Sequence, residues 1–268
     1  MIIIGEKLNG FIPRTMEAIV AKDESYIREI AKSQTEFGAD YLDVCAGTAP
    51  EIERDTMKWL IGITQDTVDT PLCIDSSDVH VLLEMMQLAK RPGILNSISG
   101  EAGKCDAILP VIRGAEWGVV ALTCDQNGIP TDPEVKFQIA KDLVAKAQAH
   151  DIPLDRIFID PLVTTLATTG TSLLSFSEAV RKIKGNWPDI HITSGLSNIS
   201  FGMPFRKAIN TQFLALAMSA GMDSAIMDPT SADMRATLYA TDALLGNDEY
   251  CMRYLTAYRA GMIGAKKA

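Results

Sequence analysis

The chain has 268 residues, of which 47% are hydrophobic, 22% charged and 6% aromatic, the composition of a globular protein able to bury a large core. A net charge of −9 and a pI near 4.9 argue against nucleic acid and anionic membrane as partners, since both select clustered positive charge. Five cysteines, Cys45, Cys73, Cys105, Cys124 and Cys251, contain no CxxC pair and leave one thiol over, which predicts a reducing, cytoplasmic compartment.

The run Met1-Ile2-Ile3-Ile4 has no basic flank and is too short to cross a bilayer, so it reads as a first strand over Ile2–Ile4. Ser25–Phe37 then places Ile27, Ile30, Ala31 and Phe37 near one helical face, with Gly38 as its C-terminal stop. Strands follow at Tyr41–Val44, Leu72–Ile74, Ile94–Asn96 and Val119–Leu122, and Pro133–Ala149 repeats the helical pattern. Ile157–Ile159, Ile190–Thr193 and Ser224–Met227 complete the set, with helical stretches between the strands. Eight βα units without a linker-like stretch predict an α/β fold, a single (β/α)8 TIM barrel over 1–268, with 246–268 as a C-terminal helix and tail. A doubly wound open sheet is the competing architecture. It calls for a glycine-rich phosphate loop after the first strand, and Gly5-Glu6-Lys7-Leu8-Asn9-Gly10 lacks that spacing.

Active sites of such barrels lie at the C-terminal ends of the strands. Here those ends carry Glu6 with Asn9, Asp43, Asp75 with Ser76, Asn96 with Ser97, Asp125, Asp160, Ser197 with Asn198, and Asp228. Any one of these has a local explanation as a helix cap or turn residue, and Asp125 in Cys124-Asp125-Gln126-Asn127-Gly128 fits a turn best. Together they imply a ligand, because converging carboxylates and amides repel or stay unsatisfied without one. Ionised Asp only accepts, whereas Asn both donates and accepts, so a flat heterocycle with several N–H donors suits the set, and a pterin ring presents that edge.

The sequence resembles the methyltetrahydrofolate:corrinoid methyltransferases, pterin-binding barrels related to dihydropteroate synthase and to the folate domain of methionine synthase. The resemblance covers nearly the whole chain and rests on six motifs: Gly5-Glu6-Lys7-Leu8-Asn9, Asp40-Tyr41-Leu42-Asp43-Val44, Ile74-Asp75-Ser76, Asn96-Ser97-Ile98-Ser99, Ile159-Asp160-Pro161-Leu162 and Gly195-Leu196-Ser197-Asn198-Ile199-Ser200-Phe201-Gly202. It implies a dihydropteroate-synthase-like barrel in which Glu6, Asn9, Asp43, Asp75, Asn96, Asp160, Gly195, Ser197 and Asn198 line the folate site. Asp160 is expected at the 2-amino and N3–H edge, Asp75 and Asn96 at the N1/N8 side, and Asn198 at N5 as the catalytic polar group. The substrate implied is tetrahydrofolate or 5-methyltetrahydrofolate, and no bound metal is expected. Synthases carry an Arg-x-His near the last strand and a Lys at the seventh, whereas this chain has Met227-Asp228-Pro229-Thr230 and Ser197-Asn198, which favours methyl transfer at N5. The cobalamin-module pattern Asp-x-His-x-x-Gly is absent, Leu83 following Asp78-Val79-His80 where Gly is required, so the corrinoid is expected on a separate corrinoid-binding protein. Stand-alone barrels of the glycine-betaine type are the nearest branch. The family's habit and the apolar stretch from Tyr250 to Ile263 make a homodimer the expected assembly.

Two other readings compete: a barrel subunit that only docks a corrinoid protein, and a Mg²⁺-dependent lyase or aldolase using the same carboxylates. His80, His150 and His191 form no ligand-spaced pair, which argues against zinc, and Lys7 is the lysine nearest a strand end for Schiff-base chemistry. Arg206 and Lys207, which follow the Asn198 loop, read either as a solvated helix start or as contacts for the glutamate tail of a folate.

Overall fold

A computed structural model describes residues 1–264. Eight strands occur in chain order: β1 Ile2–Asn9, β2 Tyr41–Cys45, β3 Leu72–Asp75, β4 Ile94–Ser99, β5 Gly118–Leu122, β6 Ile157–Asp160, β7 His191–Ile192 and β8 Ser224–Met227. They pair in parallel in the order β7-β6-β5-β4-β3-β2-β1-β8. The seam between β7 and β8 is closed by a bridge between Gly195 and Ile226, where Ile226 N donates to Ser194 O at 2.9 Å. The result is a nearly closed (β/α)8 barrel.

Among the described residues ten α-helices lie around it: α1 Pro13–Ala21, α2 Glu24–Glu36, α3 Pro50–Gln65, α4 Val79–Met86, α5 Lys104–Ile112, α6 Pro133–Ala149, α7 Ser172–Asn186, α8 Arg206–Ala220, α9 Ala232–Leu244 and α10 Met252–Arg259. Local chemistry sets several starts. Asp23, Asp78 and Asp132 accept from the backbone N–H groups of Tyr26, His80 and Glu134, while Pro13, Pro50 and Pro133 occupy first turns where a missing N–H costs nothing. The helix expected over Ser25–Phe37 ends at Gly38, whose φ of 88° suits glycine. The helix α1 is an addition that the sequence reading did not separate from the β1 loop. The expected C-terminal segment contains α10, and residues 265–268 of it lie outside the described residues. Among the described residues no helix is long and apolar enough to cross a membrane.

Strand alternation divides the core in two. Leu42, Val44, Ile74, Leu95, Val119 and Ile159 face the helices in the main hydrophobic layer. Ile4, Cys73, Ile94, Val120 and Phe158 fill the barrel interior. Two residues further along the same strands the inward positions are Glu6, Asp75, Asn96, Leu122 and Asp160, so apart from Leu122 the interior changes from apolar to polar, with three carboxyls, at the C-terminal mouth. There the loops after β1 and β2 touch backbone to backbone. A Cβ on Gly10 would lie 1.9 Å from Ala46 O, which requires glycine.

Candidate active site

The acidic layer is assembled from neighbouring strands. Asn9 and Cys45 are register partners, as are Cys45 and Asp75, and Asp75 and Asn96. Asn9 Nδ2 donates to Asp43 Oδ2 at 3.2 Å, and its own Oδ1 accepts from Phe11 N, which holds the amide toward the carboxylate. Asp43 is 1% exposed, and its Oδ1 has no hydrogen-bond partner among the described residues. Burial, and then the charge of Asp75, push the Asp43 carboxyl well above the usual range. Asp75 is raised to about 6 by burial, opposed by a bond from the Cys45 thiol. Burial also raises the Cys45 and Cys73 thiols, so both stay protonated and act as donors to the two aspartates.

Asp160 ends β6 and is buried. It folds back in an Asx turn, Oδ1 accepting from Leu162 N at 2.7 Å, with Gly195 N–H as a second backbone donor. Burial nevertheless lifts its pKa to about 6. Across the mouth, Glu6 is likewise raised to about 6 by burial, against the bond it accepts from Ser197. That bond, Ser197 Oγ to Glu6 Oε2 at 3.1 Å, joins β1 to the 3-10 turn Leu196–Ser200 that follows β7. Asn198 sits on this turn as an exposed residue at the rim, its amide folded over Gly195, where an added Cβ would meet Asn198 Nδ2 at 2.9 Å.

All nine residues singled out in the sequence therefore sit at one end of the barrel, in the linked groups Asn9–Asp43, Asp75–Asn96, Glu6–Ser197 and Asp160–Gly195–Asn198. Asp125 accepts from Asn127 N in its own turn, and Asp228 pairs with Lys7 at 3.0 Å. The two basic residues beyond Asn198 have partners within the protein. Arg206 bonds Ser200 Oγ at 3.0 Å and Ser197 O at 2.8 Å, and Lys207 is paired with Asp233, so both charges are engaged by the protein itself. Sequence reasoning also missed Lys136, a lysine only 2% exposed whose Nζ donates to Leu162 O at 2.8 Å. Its signal was available, since Lys136 shares the buried stripe of α6 with Ala140, Leu143 and Ala147. Among the described residues no group of three or more His, Cys, Asp or Glu side chains is arranged to hold a metal ion.

Such a mouth can bind a flat, donor-rich ring edge-on against carboxylates, with neutral amides at the positions that need both a donor and an acceptor. The profile of the family described as pterin binding enzymes matches residues 14–228. A methylcorrinoid:tetrahydrofolate methyltransferase of Eubacterium limosum is 53% identical over 270 residues, covering 100% of both chains. The methionine synthase of Mycobacterium leprae is 31% identical over 240 residues, 85% of this chain but 20% of that protein. A dihydropteroate synthase from Xanthomonas albilineans superimposes with a TM-score of 0.65 at 19% identity, over 91% of this chain and 92% of its own, a likeness of fold.

Proposed function

The chain belongs to the pterin-binding enzymes, and from that premise we propose that it transfers a methyl group between a separate corrinoid protein and N5 of tetrahydrofolate. The observation that carries this reading is the acidic set at the mouth, where Asp160, Asp43 and Asn96 are buried and Asp75 is the register partner of Asn96. Asp160, held by two backbone donors, offers its remaining lone pairs to the 2-amino and N3–H edge of the pterin. Asp75 and Asn96 take the N1/N8 side. Glu6, Asn9, Gly195 and Ser197 complete the walls, and Asn198 on the rim approaches N5. The full-length likeness to the Eubacterium limosum enzyme supports methyl transfer. So do Ser197-Asn198 and Met227-Asp228-Pro229-Thr230, which stand where synthase chemistry needs basic residues.

Both folate and the corrinoid are substrates in this reading, and no metal is assigned to the barrel. The protein supplies no nucleophile. Its residues bind the pterin, align N5 with the incoming methyl group and hold a neutral dipole beside the nitrogen whose charge changes. We read residues 1–268 as one barrel unit, cytoplasmic and homodimeric, with the exposed Leu244, Tyr250 and Met252 available to a second copy.

Anaerobic incubation with methylcob(III)alamin and tetrahydrofolate tests the proposal. The expected result is Co(I) absorbance appearing with 5-methyltetrahydrofolate, insensitive to chelators. A protein that binds no tetrahydrofolate is instead a docking subunit, and chelator-sensitive lyase activity would assign the carboxylates to Mg²⁺.

A further inference from the structure

We infer that Lys136 is a positioning residue for the pterin site, supplying from α6 the positive charge that keeps Asp160 an ionised, acceptor-only carboxylate. The inference deepens the pterin reading and rests on it. A lysine that is 2% exposed needs a reason, because an ammonium is rarely taken out of water without a partner. Among the described residues Lys136 has no carboxylate within ion-pair distance. Its one bond goes to Leu162 O, the carbonyl of the residue whose N–H caps Asp160 Oδ1. Leu162 is itself left-handed at φ 53°, an unfavourable conformation for leucine that the turn needs in order to present N–H to Asp160 and carbonyl to Lys136.

Asp160 is acted on by the backbone amides of Leu162 and Gly195 and by Lys136 from α6, and it acts in turn on the Cys124 thiol beyond β5. Cys124 stays neutral, its pKa raised by burial and neighbouring acids, so Lys136 is the cation of the group. Each of the pair acts on the other as expected for charges of opposite sign: Lys136 lowers the pKa of Asp160, and Asp160 supports that of Lys136, which burial has brought down to about 8.

The test compares Lys136→Met, which removes charge and bond, with Lys136→Gln, whose amide can still donate to Leu162 O but carries no charge. Tetrahydrofolate affinity is measured anaerobically by calorimetry from about pH 5.5 to about pH 9, with Asp160→Asn as the control that lacks the titrating group. In the wild type, binding should strengthen as Asp160 ionises. Without the ammonium, ionisation is harder. Both Lys136 variants should then shift the midpoint to higher pH by about one to two pH units, costing about two- to tenfold in affinity at pH 7 and recovering near pH 9. Equal loss at every pH, or a wild-type midpoint in Lys136→Gln, would overturn the inference. If Lys136→Met does not fold, the Gln variant alone decides. A wild type that binds no tetrahydrofolate rejects the pterin reading itself and is recognised before either variant is made.

Discussion

Ser197 Oγ donates to Glu6 Oε2 at 3.1 Å, so two residues 191 positions apart share a hydrogen bond beside the β7–β8 seam of the barrel. Glu6 pays for that contact in solvation, and its carboxyl is raised to about 6, as are those of Asp75 and Asp160, mainly by burial.

These raised groups make the ligand-free protein more stable in mild acid. A carboxyl that binds its proton more tightly when folded lends stability that is complete below the unfolded pKa of about 4 and lost as pH rises through the folded value. The loss should fall between pH 4 and about 6 and amount to about 2 kcal/mol for Glu6 and about 3 kcal/mol for each of the two aspartates. Asp223, where bonds from His191 and Lys184 outweigh burial and lower the pKa, acts in the opposite sense at lower pH and does not mask the effect. Urea unfolding of the ligand-free protein should give a higher free energy at pH 5 than at pH 7.5, with Asp75→Asn flattening the difference. A profile rising toward neutrality would show that the acids are hydrated rather than buried.

Asp160→Asn should lose most folate affinity. The amide puts a donor against the pterin donors, and hydrogen bonds to charged groups are worth roughly 1.5–3 kcal/mol, a loss on the order of tenfold to a hundredfold. Calorimetric titration checks it, and unchanged affinity would remove Asp160 from the pterin edge.

Arg206 and Lys207 should behave differently from each other. Arg206 ties Ser197 O and Ser200 Oγ together, and its guanidinium also covers the Phe201 ring at 4.8 Å. Arg206→Ala should therefore loosen the Asn198 turn and slow methyl transfer with the bare pterin as much as with a polyglutamylated folate. Lys207, paired at the surface with Asp233, should be nearly silent on substitution, because exposed ion pairs contribute little. Selective weakening of the polyglutamylated ligand in either variant would restore the tail-binding role that the sequence suggested.

The strands were legible because each is a short apolar run between amphipathic stretches, and all eight occur in the expected places, though β1 runs on from Ile4 to Asn9, β4 from Asn96 to Ser99, and β7 is cut back from Ile190–Thr193 to His191–Ile192. Their C-terminal ends were legible as polar residues interrupting those runs. What pairs across the mouth was not: nothing local links Glu6 to Ser197 or Lys136 to the Asp160 turn, since closure of the barrel creates both contacts. The partners of Arg206 were hidden for the same reason, since they lie within a 3-10 turn that the sequence shows only as a loop. The thiols of Cys45 and Cys73 entered the sequence reading only as a sign of a reducing compartment, yet inward alternation sets them beside Asp75 and Asp43 as donors.

Asn198→Ala should lower methyl-transfer turnover more than folate affinity. The amide is exposed at the rim and neutral, so it should add little to ground-state binding, whereas in the proposed pose it stands beside N5, whose charge changes during transfer. An interaction made mainly in the transition state appears in turnover, whereas uniform binding appears in affinity. Losing one oriented polar group at a reacting centre typically costs about a hundredfold in rate. Gly195→Ala offers an independent route to the same defect. Its φ of −67° accepts any residue, but the new Cβ would displace the Asn198 amide, the movable end of a side chain, by meeting Nδ2 at 2.9 Å. Both variants should fold with near-normal melting temperatures, bind tetrahydrofolate with modest loss and turn over slowly in the Co(I) assay. Near-normal turnover in Asn198→Ala, or a defect confined to melting temperature, would make Asn198 a scaffold of the turn rather than a catalytic group.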